Sequence, residues 1–175
     1  MTKSSREQQT EDERKILAEL QKNSNENIDT IAKHCRFSKQ KTSKIIKRLE
    51  NSHIIWGYSA IVDEQKQGLQ RFIISIKRSN KTLDKKSMDE IAMNRLEKII
   101  LKLGVTIESS YYGHGDYDWM LIFTVENLIS AKKFADALFG AYPGIVEKTS
   151  LFQILFIQRD HRVPNPDQAK LHEFL

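Results

Sequence analysis

Cysteine is nearly absent from this sequence, and long apolar runs are missing. Cys35 is the single cysteine, so the chain cannot form an intramolecular disulfide. No apolar run approaches the roughly 20 residues that a membrane-spanning helix needs. Residues 1–14 also lack the apolar core of a signal peptide. These absences predict a soluble cytoplasmic protein without a membrane segment.

Patterns typical of metal sites and catalytic centres are missing too. None of the histidines is paired at a spacing that suits metal ligands. His34 and Cys35 are adjacent, hence about 100° apart on a helix, and do not chelate one ion together. The local sequence supports no Ser/His/Asp or Cys/His arrangement. We therefore predict no metal, no cofactor and no catalytic residue.

What the chain does have is a concentrated positive charge. Its 28 Lys and Arg residues against 23 Asp and Glu give a net charge of +5. Much of that excess lies on one short segment between Asp29 and Glu50 that contains no acid. The basic residues of this segment are Lys33, Arg36, Lys39, Lys41, Lys44, Lys47 and Arg48. Clustered cations of this kind are typical of a nucleic-acid surface.

Residues 27–51 predict two short helices joined by a tight turn, with Asn27 and Ser38 as their N-caps. Apolar side chains recur at helical spacing and can bury one side of each helix. They are Ile28, Ile31, Ala32 and Cys35, then Thr42, Ile45, Ile46 and Leu49. A helix pair with one buried and one cationic face is typical of a helix-turn-helix whose second helix enters the DNA major groove. The alternative is a solvated helical hairpin, because a charge run is usually only a wet surface.

The predicted DNA contacts lie on the second helix and in the turn before it. Gln40 and Ser43 are the best candidates for reading bases, with Lys39 and Lys44 beside them. The other cations should mainly hold the helix on phosphates. The predicted set is Arg36, Ser38, Lys39, Gln40, Lys41, Ser43, Lys44, Lys47 and Arg48.

The flanking segments complete a winged unit. Thr10 and Glu13 have the spacing of a capping box that begins a helix. Residues 54–62 are β-branched and aromatic, which predicts a strand, and a strand directly after the basic helix would form a wing. We predict a winged helix-turn-helix domain over residues 1–63 and a polar hinge over residues 64–68.

The second half alternates strands and helices. Strands are predicted at residues 71–77, 105–112, 118–125 and 146–158, with helices at residues 84–103 and from Asn127 to the Pro143-Gly144 break. The order β-α-β-β-α-β predicts an α+β chain with a ferredoxin-like domain over residues 69–160. Residues 161–175 form a tail in which Asn165 can cap a last short helix.

The last two long strands are apolar on both faces. Met120 and Ile122 oppose Leu121 and Phe123, and Phe152 likewise opposes Leu151. An antiparallel sheet covered on one face only should alternate apolar and polar residues. No element of the chain is left to cover the second face, so we predict a homodimer that buries on the order of 2,000 Å² or more.

Taken in order, these residues resemble the leucine-responsive/asparagine-regulator (Lrp/AsnC, feast/famine) family of transcription factors over about residues 12–159. Matching residues of the first half are Ala32, Ser38, Ile46, Leu49, Glu50, Ile55, Gly57, Tyr58, Ala60 and Asp63. Those of the second half are Gly115, Asp116, Asp118, Pro143 and Gly144. The resemblance implies a DNA-binding winged helix-turn-helix and a domain that dimerises sheet to sheet, often into tetramers or octamers. It also implies an amino-acid or related effector bound between dimers.

The predicted effector site is the turn of Gly113, His114, Gly115, Asp116 and Asp118. By resemblance, Gly115, Asp116 and Asp118 match effector-site positions. From the residues themselves, a carboxylate can hold an ammonium group, and a glycine-bracketed turn lets backbone N–H groups approach a carboxylate. The alternative is plain turn chemistry, with Asp116 capping the turn and Asp118 hydrogen-bonded to the loop.

Three features depart from the family pattern. His53 replaces the usual glycine, Ile45 stands where an arginine is common, and residues 79–86 lengthen the first helix of the second domain. The same architecture also resembles the sirohaem decarboxylases, which need histidine and arginine for a tetrapyrrole. His114, Arg159, His161 and Arg162 leave that alternative open. The cationic helix favours the regulator, because a tetrapyrrole enzyme has no use for it. A ligand-sensing partner that no longer binds DNA is a third alternative.

Overall fold

The computed structural model describes residues 3–82, 85, 89 and 95–175. The chain divides into two compact units. The first consists of Met1–Ile61 and Gln158–Ala169, and the second of Val62–Ile157 and Lys170–Leu175. Within the described ranges, no helix combines the length and the apolar character needed to cross a membrane.

Three helices build the first unit: α1 (Lys3–Leu20), α2 (Ile28–Cys35) and α3 (Lys39–Asn51). Both predicted caps are observed. The Asn27 side chain accepts a hydrogen bond from the Asp29 N–H at 2.8 Å, and Ser38 Oγ accepts one from the Lys41 N–H at 3.2 Å. The helices enclose a small core of Ile16, Ile31, Cys35, Ile45 and Leu49. This arrangement of helices is the predicted helix-turn-helix.

The capping box predicted at Thr10 is wrong. Helix α1 begins at Lys3, which places Thr10 inside it, where its hydroxyl donates to the Arg6 carbonyl at 3.0 Å. Gln8 and Gln9 donate to the carboxylates of Asp12 and Glu13 one turn later. Such pairs at i, i+4 favour helix through this region, so the chain does not need a cap at Thr10.

The wing predicted at residues 54–62 does not form a strand. The Ile54 and Ile55 N–H groups both donate to the Leu49 carbonyl, at 3.0 and 3.1 Å, as the chain leaves α3. The chain then runs without regular structure, and Trp56 is 94 % exposed. A strand needs a neighbour for its N–H and C=O groups, and none of the strands described pairs with this segment. A β-branched composition does not supply that neighbour.

The second unit has the predicted β-α-β-β-α-β order. Its elements are β1 (Gln70–Arg78), α4 (described over Arg95–Leu103), β2 (Thr106–Tyr112), β3 (Trp119–Val125), α5 (Leu128–Ala141) and β4 (Val146–Gln153). The strands form one antiparallel sheet in the order β2-β3-β1-β4. The α+β, ferredoxin-like prediction is therefore confirmed. Of the helix predicted at 84–103, residues 84, 86–88 and 90–94 lie outside the described ranges.

One face of this sheet carries the core. Phe72, Ile74 and Ile76 of β1 lie beside Leu121 and Phe123 of β3, and all are fully buried. Helices α4 and α5 pack on this face through apolar side chains that include Leu96, Ile99, Phe134 and Leu138. Helix α5 begins as predicted, because the Asn127 side chain accepts a hydrogen bond from the Ser130 N–H at 2.9 Å.

The other face of the sheet carries an apolar patch whose residues remain partly exposed among the described residues. Ile73 lies between Ile122 on β3 and Phe152 on β4, and Met120 lies opposite Tyr111 on β2. Phe152 is 65 % and Met120 38 % exposed. We call these five residues the open sheet face.

Strand β4 ends at Gln153 rather than at the predicted residue 158. Its neighbour β1 begins at Gln70, so the ladder stops after the Ile154 N–H has reached the Arg71 carbonyl at 2.9 Å. The chain then forms a short hairpin, β5 (Arg159–Asp160) and β6 (Val163–Pro164), within the first unit. A 3-10 helix, Gln168–Phe174, follows Asn165, whose side chain accepts from the Asp167 N–H at 2.8 Å.

Candidate nucleic-acid interface

The exposed side of α3 is the candidate DNA-reading surface. Thr42, Ile45 and Leu49 are its buried side. Successive residues turn by about 100° around a helix, which puts Gln40, Lys44 and Lys47 opposite that buried side. All three are exposed, and Ser43 lies half-buried at the border. We call Gln40, Lys44 and Lys47 the reading face.

Lys44 and Lys47 carry charges that the described chain leaves uncompensated. Neither has a carboxylate within ion-pair distance among the described residues. An exposed ammonium group with no acidic neighbour can neutralise a DNA phosphate in exchange for the cations condensed on the DNA, and the release of those cations is a large part of the affinity for duplex DNA. Of the predicted contacts, these two lysines are the best placed for that exchange.

Three other cations of the predicted set are held by acids instead. Lys39 Nζ lies 2.9 Å from Asp29 Oδ2 on α2. Lys41 Nζ lies 2.6 Å from Asp12 Oδ2, and Arg48 Nη2 lies 2.8 Å from Glu13 Oε1, both on α1. The Asp29 pair is exposed on both sides, so it contributes little stability and can open. The two pairs to α1 involve carboxylates that are largely buried.

The Asp12 carboxylate is the most enclosed acid of the first unit. Its Oδ1 accepts from the Gln8 amide at 3.0 Å while Oδ2 receives Lys41. The hydrogen bond from Lys41 is the main reason that the pKa of Asp12 is lowered, since burial alone would raise it. The Lys41 ammonium also lies 4.0 Å from the centre of the Phe37 ring, a cation–π contact that adds to its retention there.

The turn between α2 and α3 contributes Arg36 and Ser38. Arg36 ends α2 in the left-handed conformation, with φ of 57°, and its side chain is exposed. The Ser38 oxygen already caps α3, but its hydroxyl hydrogen remains a donor for a phosphate. Ile45, where the resembling family commonly has arginine, is 4 % exposed and belongs to the core. This position therefore cannot reach DNA in this chain.

The predicted effector turn follows β2. The Gly113 N–H donates to the Asp118 carbonyl at 3.0 Å, and Lys77 Nζ donates to the Gly115 carbonyl at 3.0 Å. Asp118 Oδ2 accepts from the Arg78 N–H at 2.8 Å and lies 3.4 Å from Lys77 Nζ. The Arg78 N–H is the first cause of the lowered pKa of Asp118. Asp118 thus anchors the turn to β1.

His114 and Asp116 stand exposed at the tip of this turn. The turn therefore carries two carboxylates in different surroundings. Asp118 is bonded to β1, whereas Asp116 is exposed to solvent. On the neighbouring strands the Tyr112 ring stacks on Trp119, with centroids 5.3 Å apart and an angle of 5° between the planes. Tyr111 belongs to the open sheet face.

The residues named for a tetrapyrrole site fall into both units. Arg159 donates to the Arg162 carbonyl at 2.8 Å, and Arg162 donates to Gln21 at 2.7 Å, all within the first unit. His161 lies 2.9 Å from Asp160, while His114 belongs to the second unit. Among the described residues, no three His, Cys, Asp or Glu side chains could hold one metal ion together.

Sequence reasoning missed Asp12 and Glu13 as partners of the basic helix. They lie 29 and 35 residues from Lys41 and Arg48, so no local pattern connects the pairs. The signal available was that three consecutive acids, Glu11, Asp12 and Glu13, lie on the helix that the basic helix must pack against. That signal does not say which cations they take.

Comparison with known proteins agrees with this geometry. A family model for winged helix-turn-helix DNA-binding domains matches residues 13–55. The chain is 28 % identical to the Bkd operon transcriptional regulator of Pseudomonas aeruginosa over 141 residues, covering 80 % of this chain and 87 % of that protein. It is 27 % identical to the uncharacterized HTH-type transcriptional regulator YugG of Bacillus subtilis over 160 residues, covering 88 % and 90 %.

Solved structures show the same fold. The feast or famine regulatory protein from M. tuberculosis complexed with L-methionine has a TM-score of 0.68 at 21 % identity, covering 86 % of this chain and 96 % of that one. LrpC of B. subtilis has a TM-score of 0.58 at 20 % identity, covering 83 % and 94 %. A transcriptional regulator of Neisseria meningitidis in complex with L-Met has a TM-score of 0.63 at 16 % identity, covering 90 % and 97 %. These structures show the fold alone, while the family model and the two sequence relatives favour the regulator over the tetrapyrrole enzyme.

Proposed function

We propose that this protein, which has the sequence pattern and the fold of the Lrp/AsnC family, is a transcriptional regulator that reads duplex DNA with α3. The observation that carries the proposal is the reading face. Gln40, Lys44 and Lys47 are exposed on one side of the second helix of a helix-turn-helix, and no acid described compensates the two lysines. That combination suits a helix lying in the major groove.

Each part of the surface has its own task in this proposal. Gln40 can pair its amide with the N6 and N7 atoms of adenine, and Ser43 can bond to either kind of base edge. Lys44 and Lys47 neutralise phosphates beside the groove. The N-terminus of α3 can bind a phosphate through the Ser38 hydroxyl and the backbone N–H groups of the first helical residues. Arg36 lies two residues before Ser38.

The open sheet face supports action as a homodimer. Its five apolar residues form a continuous surface across all four strands, and a second copy would bury it. Two reading helices related by a twofold axis would require near-palindromic operators, with half-sites about one helical turn or a multiple of it apart. The family resemblance extends this proposal to tetramers or octamers.

The turn at residues 113–118 is the proposed site for an amino-acid effector. Two of the structural neighbours are described as complexes with L-methionine. In this chain Asp116 and His114 are exposed at the tip, while Asp118 is already bonded to Arg78 and Lys77. Asp116 is therefore the carboxylate most available for an ammonium group, and Asp118 holds the turn in shape for it.

The test for DNA binding compares three variants of the full chain on fluorescently labelled duplexes. Lys39→Glu with Lys44→Glu should abolish binding to the duplex, because the double variant replaces two cations of α3 by acids. Gln40→Ala should change the preferred sequence more than the overall affinity. Lys132→Glu with Lys133→Glu makes the same change of charge on exposed residues of α5 and serves as the control.

The control variant should bind as the wild type does. If Lys39→Glu with Lys44→Glu bound as tightly as wild type, α3 would not be the reader. If the control lost binding equally, net charge rather than the reading face would explain the affinity. Mapping where the wild type sits on a bacterial genome would then identify the operator.

A further inference from the structure

The basic residues of α3 lie on two different sides of the helix. Lys44 and Lys47 belong to the reading face, opposite the buried side. Lys41 and Arg48 lie roughly a quarter turn away from it at about 100° per residue, and both point toward α1. The cationic helix that sequence reasoning treats as one surface is therefore two surfaces.

Adjacent carboxylates on α1 receive the second pair of cations. Lys41 Nζ reaches Asp12 Oδ2 at 2.6 Å, and Arg48 reaches Glu13 Oε1 through both Nε and Nη2, at 2.9 and 2.8 Å. The Asp12 side chain is 8 % exposed and is held from its other oxygen by Gln8. Residues two turns apart on α3 thus converge on neighbouring residues of α1.

We propose that Asp12 and Glu13 are positioning residues, which hold Lys41 and Arg48 against α1 and so fix the rotation of α3 that presents Gln40, Lys44 and Lys47 to DNA. The inference rests on the proposed function. It divides the cations of α3 into phosphate-binding lysines and structural ones. Lys41 and Arg48 thereby lose the phosphate role that their charge alone suggests.

Lys41 and the two lysines of the reading face differ in whether binding a phosphate would leave a buried carboxylate without its cation. If Lys41 turned to a phosphate, the buried Asp12 carboxylate would keep only the Gln8 amide as a partner, and an unpaired buried charge is strongly unfavourable. Lys44 and Lys47 leave no carboxylate behind. Two ion pairs also restrict the rotation of α3 more than one would. A helix held at both Lys41 and Arg48 cannot turn about its axis without breaking at least one of the pairs.

Salt dependence of DNA binding separates the two classes, since its slope counts the phosphates that are neutralised. Lys41→Met and Lys47→Met both delete one charge and keep an apolar stem. Measured on a labelled duplex that holds two half-sites, Lys47→Met should reduce the slope of log K against log salt by about 0.9 for each subunit in contact. Lys41→Met should leave that slope as in wild type, because it removes no phosphate contact. It should lower the melting temperature and weaken the preference for the operator sequence, because α3 loses one of its two contacts with the acids of α1.

A variant that releases Lys41 from Asp12 should increase the salt dependence of DNA binding rather than leave it unchanged. Asp12→Asn removes the charge that holds it, so the slope should become steeper by up to about 0.9 per subunit. Adding Lys41→Met to Asp12→Asn should return the slope to the wild-type value. If Asp12→Asn lowered the melting temperature but left the slope unchanged, Asp12 would not be what keeps Lys41 from the phosphates, and its positioning role would be contradicted. The reversed pair, Asp12→Lys with Lys41→Asp, should recover the melting temperature that Lys41→Asp alone loses.

The same measurements distinguish a failure of this inference from a failure of the proposed function. If Lys41→Met reduced the slope as much as Lys47→Met, Lys41 would bind phosphate and the inference would be overturned while DNA reading by α3 stood. If neither Lys44→Met nor Lys47→Met changed the slope, α3 would not be the DNA-binding helix, and the proposed function would fail together with the inference.

Discussion

At the scale of single residues, His53 shows what the family's usual glycine is for. The chain leaves α3 through Ser52, and His53 follows with φ of 56° while its N–H donates to the Glu50 carbonyl at 3.0 Å. A side chain in this left-handed region costs roughly 1–2 kcal/mol, because Cβ approaches the following carbonyl oxygen. Glycine adopts the same conformation without that cost.

We therefore expect His53→Gly to stabilise the first unit by about 1 kcal/mol, once the greater freedom of glycine in the unfolded chain is subtracted. Chemical denaturation followed by the helical circular dichroism signal measures the change. Ser52→Gly is the control with the opposite expected sign. Ser52 has φ of −88° and its hydroxyl donates to the Leu49 carbonyl at 3.2 Å, so glycine relieves no strain there and should lower the stability. A loss of stability in His53→Gly would mean that the imidazole makes a contact worth more than the strain.

Capping residues could be predicted from sequence because caps act within three residues. Asn27, Ser38 and Asn127 all accept the hydrogen bonds that their positions suggested. Thr10 had the same signature but lies inside a helix, since nothing before it ends the helical pattern. The Asp12–Lys41 pair lay beyond prediction, because its partners come from different helices.

At the scale of elements, the turn between β2 and β3 carries a test of effector binding. An isothermal calorimetric screen of the twenty amino acids should find at least one that binds the wild-type chain. Asp116→Ala should weaken that binding by about tenfold or more, since a charge-assisted hydrogen bond is worth about 1.5–3 kcal/mol. Asp118→Ala should weaken it as well, because Asp118 holds the end of β1 through the Arg78 N–H.

Asp136→Ala is the control for this screen, since it removes an exposed carboxylate from α5. It should leave the binding enthalpy and affinity unchanged. Binding that persisted in both Asp116→Ala and Asp118→Ala would move the effector site elsewhere. No binding by any amino acid would leave a regulator without an amino-acid signal.

Elements were predictable where local pattern and long-range pairing agree. Strand β3 is apolar, and the sheet surrounds it with β1 and β2. Residues 54–62 have an equally strand-like composition but run beside no described strand. The end of β4 was misplaced for the related reason that β1, its neighbour, starts at Gln70. Composition favours extended backbone, and only a neighbour makes it a strand.

At the scale of the whole molecule, the open sheet face predicts the oligomeric state. The wild type should sediment as the proposed dimer at micromolar concentration, and Phe152→Glu, which places a charge on the most exposed aromatic residue of this face, should sediment as a folded monomer. Ile129→Glu, at an exposed apolar position of α5, is the control and should remain dimeric. Charge at Phe123 would be uninformative, because that ring is fully buried in the core.

A folded wild-type monomer at micromolar concentration would contradict this prediction. The sequence indicated an uncovered apolar face because Met120 and Ile122 alternate with buried neighbours along one strand. It could not indicate that Leu151 packs toward the core while Phe152 lies outward and exposed. Which side of β4 faces inward follows from its register with β1, where Ile74 lies opposite Leu151.

The first unit is assembled from two segments that are separated by Val62–Ile157 of the second unit, and this order affects how the unit is completed during synthesis. Helices α1 to α3 leave the ribosome early and have their apolar core available at once. The hairpin of β5 and β6, with the Arg162 hydrogen bond to Gln21, is synthesised only after Val62–Ile157, the main part of the second unit. Domains generally fold in the order of synthesis, but here the unit that contains α1 to α3 receives contacts from residues translated after the main part of the second unit. A prematurely terminated chain would keep the reading helix and lack the segment that completes the unit around it.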